Sequence, residues 1–186
     1  ESATGTYGTE TAAFSTTTWS SDNVTGRVIT TDVDNTGKSL IWTKARNIDS
    51  QSHLLYDSER DDFGEALQSQ STSKQLPYAG IQSVSSTGFS AIGEYTTNKS
   101  GTDYVAWNFA AAEGFFDVVT YEGVNGNAVG TSFPHSLASD PGFVICKKTS
   151  DSSGWFTYHK ELGYDKGCLL NNTSAAEFQA AINASD

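Results

Sequence analysis

The chain has 186 residues, enough for one large domain or two small ones. Acidic residues outnumber basic ones by 22 to 11, for a net charge of −11, which disfavours nucleic acid and anionic membrane surfaces as partners. Aromatic content of 12% supplies a core and argues against disorder, and no apolar run approaches a membrane span. The start carries no signal-peptide pattern; it reads Glu1-Ser2-Ala3, and the chain contains no Met, as expected of a processed chain or part of a longer one.

In chain order, residues 1–13 are polar and glycine-rich and read as an N-terminal arm. "FSTTTW" (14–19) is a strand, and "NTG" at Asn35 is a turn into "SLIWTKA" (39–45). That short apolar run suits a strand buried on both faces, or a central strand of a sandwich. In "SHLLYDSE", Leu54 and Tyr56 share one face, expected in the core. His53, Leu55 and Asp57 share the other, expected at solvent or at a contact between subunits. In "DYVAWNFA" (103–110), Val105, Trp107 and Phe109 form the expected core face, opposite Tyr104, Ala106 and Asn108. "FFDVVTY" (115–121) and "GFVICKK" (142–148) read as further strands. "SAAEFQAAINA" (174–184) reads as a helix, with Ser174 as N-cap and Glu177 three residues on.

The chain repeats itself. Residues 14–19 match "FDVVTY" at 116–121, a shift of 102. Residues 39–44 match "GFVICK" at 142–147, a shift of 103; "DSQSHLLYDSE" from Asp49 matches "DSSGWFTYHKE" from Asp151; and "ALQSQST" from Ala66 matches "CLLNNTS" from Cys168. The expectation is an all-β chain of tandem antiparallel β-sandwich, jelly-roll-like domains, with repeat 1 at 14–115 and a partial repeat 2 at 116–186. Repeat 2 lacks counterparts of "GFSAIGEY" and "DYVAWNFA". Its open edge is expected to be filled by a continuation of the protein, by another chain or by the N-terminal arm.

No catalytic or metal site stands out, and no cofactor is expected. "NTGKS" lacks the first glycine of a phosphate loop, since Asp32 stands there. Asp32, Asp34 and Thr36 resemble the start of a calcium loop, but Thr43 occupies the later bidentate position. Asp57, Glu59, Asp61, Asp62 and Glu65 around Arg60 read as a solvated acidic rim rather than a paired-carboxylate site. His53, His135 and His159 have no ligand partner at metal spacing, and Cys146 and Cys168 either pair or remain as small, buried thiols. Trp155, Tyr95 and Trp19 are the candidate ligand-binding residues, as exposed rings able to stack on sugars.

The motifs "LIWTKAR…SHLLYDSER", "GTDYVAWNF", "FFDVVTYEG", "PGFVICKK" and "GWFTYHKELG" resemble a β-sandwich repeat of phage virion structural and tail-fibre proteins, over about residues 14–176. The resemblance implies a non-enzymatic module of a tail fibre, spike or capsid accessory protein in an extracellular phage particle. It implies self-association into homo-oligomers, contact with other virion proteins and attachment to host surface glycan. The acidic pair Asp61-Asp62 departs from the family, which has Gly after the arginine. The alternative function is a lectin-like adhesion module.

Overall fold

A computed structural model describes residues 12–93, 96–123, 132–163, 166–173 and 177–178. The described chain is all-β, with three antiparallel sheets. The first contains β1 (Phe14–Ser20), β7 (Asp103–Ala110), β3 (Ser39–Ala45) and β4 (Leu54–Asp57), in that order. The second is β2 (Arg27–Thr30), β6 (Gly88–Ala91) and β5 (Ile81–Ser85). The third is β11 (Glu177–Phe178), β10 (Lys166–Leu169), β9 (Trp155–His159) and β8 (Phe143–Lys147).

The first two sheets share one core. Trp19, Ile41, Leu54, Tyr56, Tyr104 and Ala106 meet Ile29, Ile81, Phe89 and Ala91. Strand β3 alternates between fully and partly buried residues, so it is not equally buried on both faces. Its inner face carries Ser39, Ile41, Thr43 and Ala45, and the facing residues of β7 are Tyr104, Ala106 and Asn108. Small side chains at Ala45 and Ala106 leave room for Trp19 and Tyr104, whose rings stack with centroids 5.3 Å apart.

The face of β7 is therefore the reverse of the sequence expectation. Val105, Trp107 and Phe109 are half-buried on the outer face, whereas Asn108 is fully buried. Asn108 made the inner face look polar in the sequence. Leu54 and Tyr56 do lie in the core, as their alternation indicates.

Strands β8 and β9 pair in the register of β3 and β4. Leu40, Ile41, Trp42 and Thr43 face Asp57, Tyr56, Leu55 and Leu54. Phe143, Val144, Ile145 and Cys146 face His159, Tyr158, Thr157 and Phe156, at the shifts of 103 and 102 seen in the sequence. Next to β4, Leu67 bridges Leu55 and Leu76 bridges Ala66, which parallels the succession β9, β10, β11. Glu177 and Phe178 thus pair as a strand with Gly167 and Lys166 where a helix was expected; residues 174–176 and 179–184 lie outside the described residues. Cross-strand pairing outweighs the local capping pattern there. Residues 117–123 form no strand either, where "FFDVVTY" was expected to be one.

Trp155 joins the third sheet to the first. It is 3% exposed and packs with Leu55 and Leu67, with Leu40 and Trp42 against the same cluster. Its indole N–H donates to the carbonyls of Gln68 and Ser71, at 3.0 and 2.9 Å. Two backbone bonds flank this contact, from Ser153 N–H to Thr72 O and from Gln75 N–H to Thr149 O. Of the face expected at solvent or between subunits, Leu55 and Asp57, with Trp155 and Thr157 at the corresponding positions of β9, are instead buried within one chain, whereas His53 is half-buried and His159 is exposed.

Candidate binding groove on the outer face of the first sheet

Register places the outer-face side chains in rows across the first sheet. Phe14, Phe109 and Leu40 form one row, and Thr16, Trp107, Trp42 and Leu55 the next. His53, just before β4, lies on the same face as Leu55. Trp155 covers the β4 side of this surface. The β1–β7 side stays open as a cavity of about 360 Å³, lined by Phe14, Trp42, His53, Trp107, Phe109 and Phe115. That size suits a small ligand or one to two sugar rings by the usual scale of binding clefts.

The aromatic rings hold one another in place. Trp42 and Trp107 meet edge to face at 5.9 Å, and the His53 ring stacks on Trp107 at 6.4 Å with planes 16° apart. Phe14 and Phe109 lie 4.8 Å apart, and Phe116 backs Phe109 at 5.2 Å. The Trp42 indole N–H donates to His53 Nδ1 at 3.0 Å. Because an indole N–H only donates, Nδ1 carries a lone pair, and the imidazole proton sits on Nε2. Burial, then the nearby Lys44 charge, holds the His53 pKa below its ordinary value. The groove is thus an apolar, rigid surface with one neutral imidazole.

The residues picked from sequence lie elsewhere. Trp155 is a buried junction residue, and its N–H is already bonded. Trp19 is 8% exposed, stacks on Tyr104 and donates its N–H to Thr97 O at 3.2 Å. Stacking on a ligand needs a solvent-facing ring, which neither tryptophan has, so both readings are corrected. Tyr95 lies outside the described residues. The rings that do flank an opening, Trp42 and Trp107, were assigned to the core from sequence. The signal that marks them is the cluster of three aromatic residues on one face of two paired strands.

The acidic rim is corrected in part: Asp61 and Asp62 are exposed, as expected of a solvated rim, but its first member is not. Asp57 and Arg60 are buried, at 5% and 8% exposure, and form an ion pair at 2.7 Å, with Arg60 also donating to Leu55 O at 3.3 Å. The chain then turns through Asp61, Asp62 and Phe63, all with positive φ. Glycine tolerates this conformation best, and no residue of this stretch is one. Asp34 folds back on its own loop, accepting from the Thr36 N–H and hydroxyl at 2.9 and 2.6 Å. Among the described residues no three His, Cys, Asp or Glu side chains converge on a metal-sized site. Both cysteines are free and half-buried; Cys146 Sγ lies 2.8 Å from Tyr121 Oη. Burial, with that contact, pushes the Tyr121 phenol up to about 12.

No curated protein matches the chain, and no solved structure does. A family model does match, over residues 9–186, and it spans all three sheets. The chain belongs to the family described as Domain of unknown function (DUF7483).

Proposed function

We propose that the chain is a non-enzymatic structural module of a phage particle, in a tail fibre, spike or capsid accessory protein, acting in assembly. Two related β units stand in tandem, the second incomplete, and their work is geometric: to hold a fixed shape, pack against copies of themselves and against other virion proteins, and present surface. The observation that carries this reading is the shared register of β3–β4 and β8–β9, fixed together by the buried Trp155. An apolar junction of this kind holds two units at one angle, as a stalk or shell requires. The motif resemblance supplies the particle. Homo-oligomerisation is part of the proposal, since such modules assemble with closed symmetry. Size-exclusion chromatography with light scattering tests it: a defined oligomer is expected, and a strict monomer at all concentrations counts against it.

A second reading is adhesion to host glycan, favoured by the open aromatic groove. Rings fixed in place before binding lose little entropy when a sugar stacks on them. Glycan-array binding by the chain, lost in Trp107→Ala with the fold intact, is the expected result. Multivalent display would strengthen weak single contacts.

A further inference from the structure

In the first sheet β7 lies between β1 and β3, antiparallel to both, and among the described residues it is the sole strand partner of β1. In the sequence β1 corresponds to residues 116–121 and β3 corresponds to β8. No described strand stands between these two segments. Two consequences are visible. Strand β8 ends its sheet, with no strand partner on its outer side among the described residues. Residues 117–121 have the composition of a strand yet pair with no strand among the described residues, although Tyr121 reaches Cys146 on β8. A third observation locates the same place. Of the ten exposed large hydrophobic residues among those described, Val119, Tyr121, Phe143 and Ile145 lie on these two segments and Phe133 stacks on Tyr121.

We propose that the outer edge of β8 is a strand-acceptor site, filled in trans by an extended segment of a partner polypeptide running antiparallel to β8. The inference rests on reading residues 116–186 as a second unit, and is independent of its place in a particle. The β3–β7 register defines the occupant. Phe109 faces Leu40, Trp107 faces Trp42 and Ala106 faces Thr43. Carried over to β8, an aromatic residue faces Phe143, another faces Ile145, and a small one faces Cys146. The partner strand therefore has large apolar residues at alternate positions and small or amide residues between them. Main-chain hydrogen bonds to the open edge supply affinity, and the alternate side chains supply specificity. A charge-poor strand also suits this edge, since Phe143, Val144, Ile145 and Cys146 carry no charge; only Lys147 closes β8 with one, and Lys148 beyond it is paired to Asp151 at 3.1 Å.

The test uses the full chain and a synthetic peptide with the sequence of residues 101–112, GTDYVAWNFAAA, which carries the β7 pattern. Binding is read by fluorescence anisotropy and by amide exchange of β8. Saturable binding is expected, at least tenfold tighter than for a scrambled peptide. It should protect β8 amides that exchange freely in the chain alone, and be lost when the peptide carries Ala106→Pro and Asn108→Pro. These substitutions are in the probe, so the protein's folding is not at risk. Equal binding of native and scrambled peptides overturns the proposal, provided that exchange across β8–β9 keeps the register described; loss of that register would instead overturn the second unit itself. Protection of β8 that rises with protein concentration and needs no peptide also overturns it, because the occupant is then a second copy pairing edge to edge.

Discussion

The Trp42 indole N–H and His53 Nδ1 lie 3.0 Å apart, and this bond fixes the imidazole over Trp107 in its neutral form. A protonated His53 would point an N–H at the indole N–H. Two donors cannot share that contact, so protonation opens the groove wall as well as charging it.

Acidification is therefore expected to loosen this face. The folded-state pKa of His53 lies below the ordinary value of 6.5. The unfolded chain takes up the proton first, so this contribution to stability is complete above about pH 6.5 and is lost as pH falls through the folded-state value. Thermal melts between pH 8 and 5 check it: the native chain should lose more stability on acidification than His53→Gln, whose amide oxygen still accepts from Trp42. Parallel pH profiles contradict it.

Trp155→Ala removes the side chain that fills the junction between the third and first sheets. Truncation of a large buried aromatic costs about 3–5 kcal/mol. Urea unfolding followed by fluorescence should show that loss, and Trp155→Phe should recover most of the packing but not the two N–H bonds. A change under about 1 kcal/mol in the alanine variant means that the sheets are not held there.

Breaking one side of the Asp57–Arg60 pair leaves the other charge buried. Arg60→Met should cost about 3–5 kcal/mol, and a joint Asp57→Leu, Arg60→Met change should cost less than the single one. A double-mutant cycle measures this directly; additive losses refute a coupled pair.

Gly88 opens β6 with φ of +148°, and a Cβ there would overlap the carbonyl oxygen of Ile29 on β2. Gly88→Ala is expected to destabilise the second sheet by about 1–3 kcal/mol through overpacking. Hydrogen exchange should report it first in β2 and β6; an unchanged melt counts against the close approach.

Much of the fold was legible in the sequence because its strands are short and alternate in polarity. Leu54 and Tyr56 are core residues, and the shifts of 102 and 103 reappear as the registers of the two hairpins. Alternation reveals that a strand has two faces but not which one meets a second sheet. At β7 the inner face carries Asn108 and Ala106, and the outer one carries Trp107 and Phe109. Choosing by hydrophobicity picks the wrong side. The open aromatic groove was missed for the same reason, because its rings had been assigned inward. Trp155 was misread as exposed because it packs on Leu55 and Leu67, far away in sequence, which no local window contains; the Asp57–Arg60 pair is only three residues apart, and a charged pair at that spacing reads as solvated unless its burial is known. Residues 116–121 read as a strand and are not one, since a strand needs an edge to pair with as well as the right side chains.

Particle location tests the central claim most directly. Quantitative mass spectrometry of purified, intact phage particles encoded with this chain should find it as a stoichiometric component, in a copy number that is a multiple of its oligomeric state. Its presence in infected cells together with its absence from washed particles would contradict a structural role.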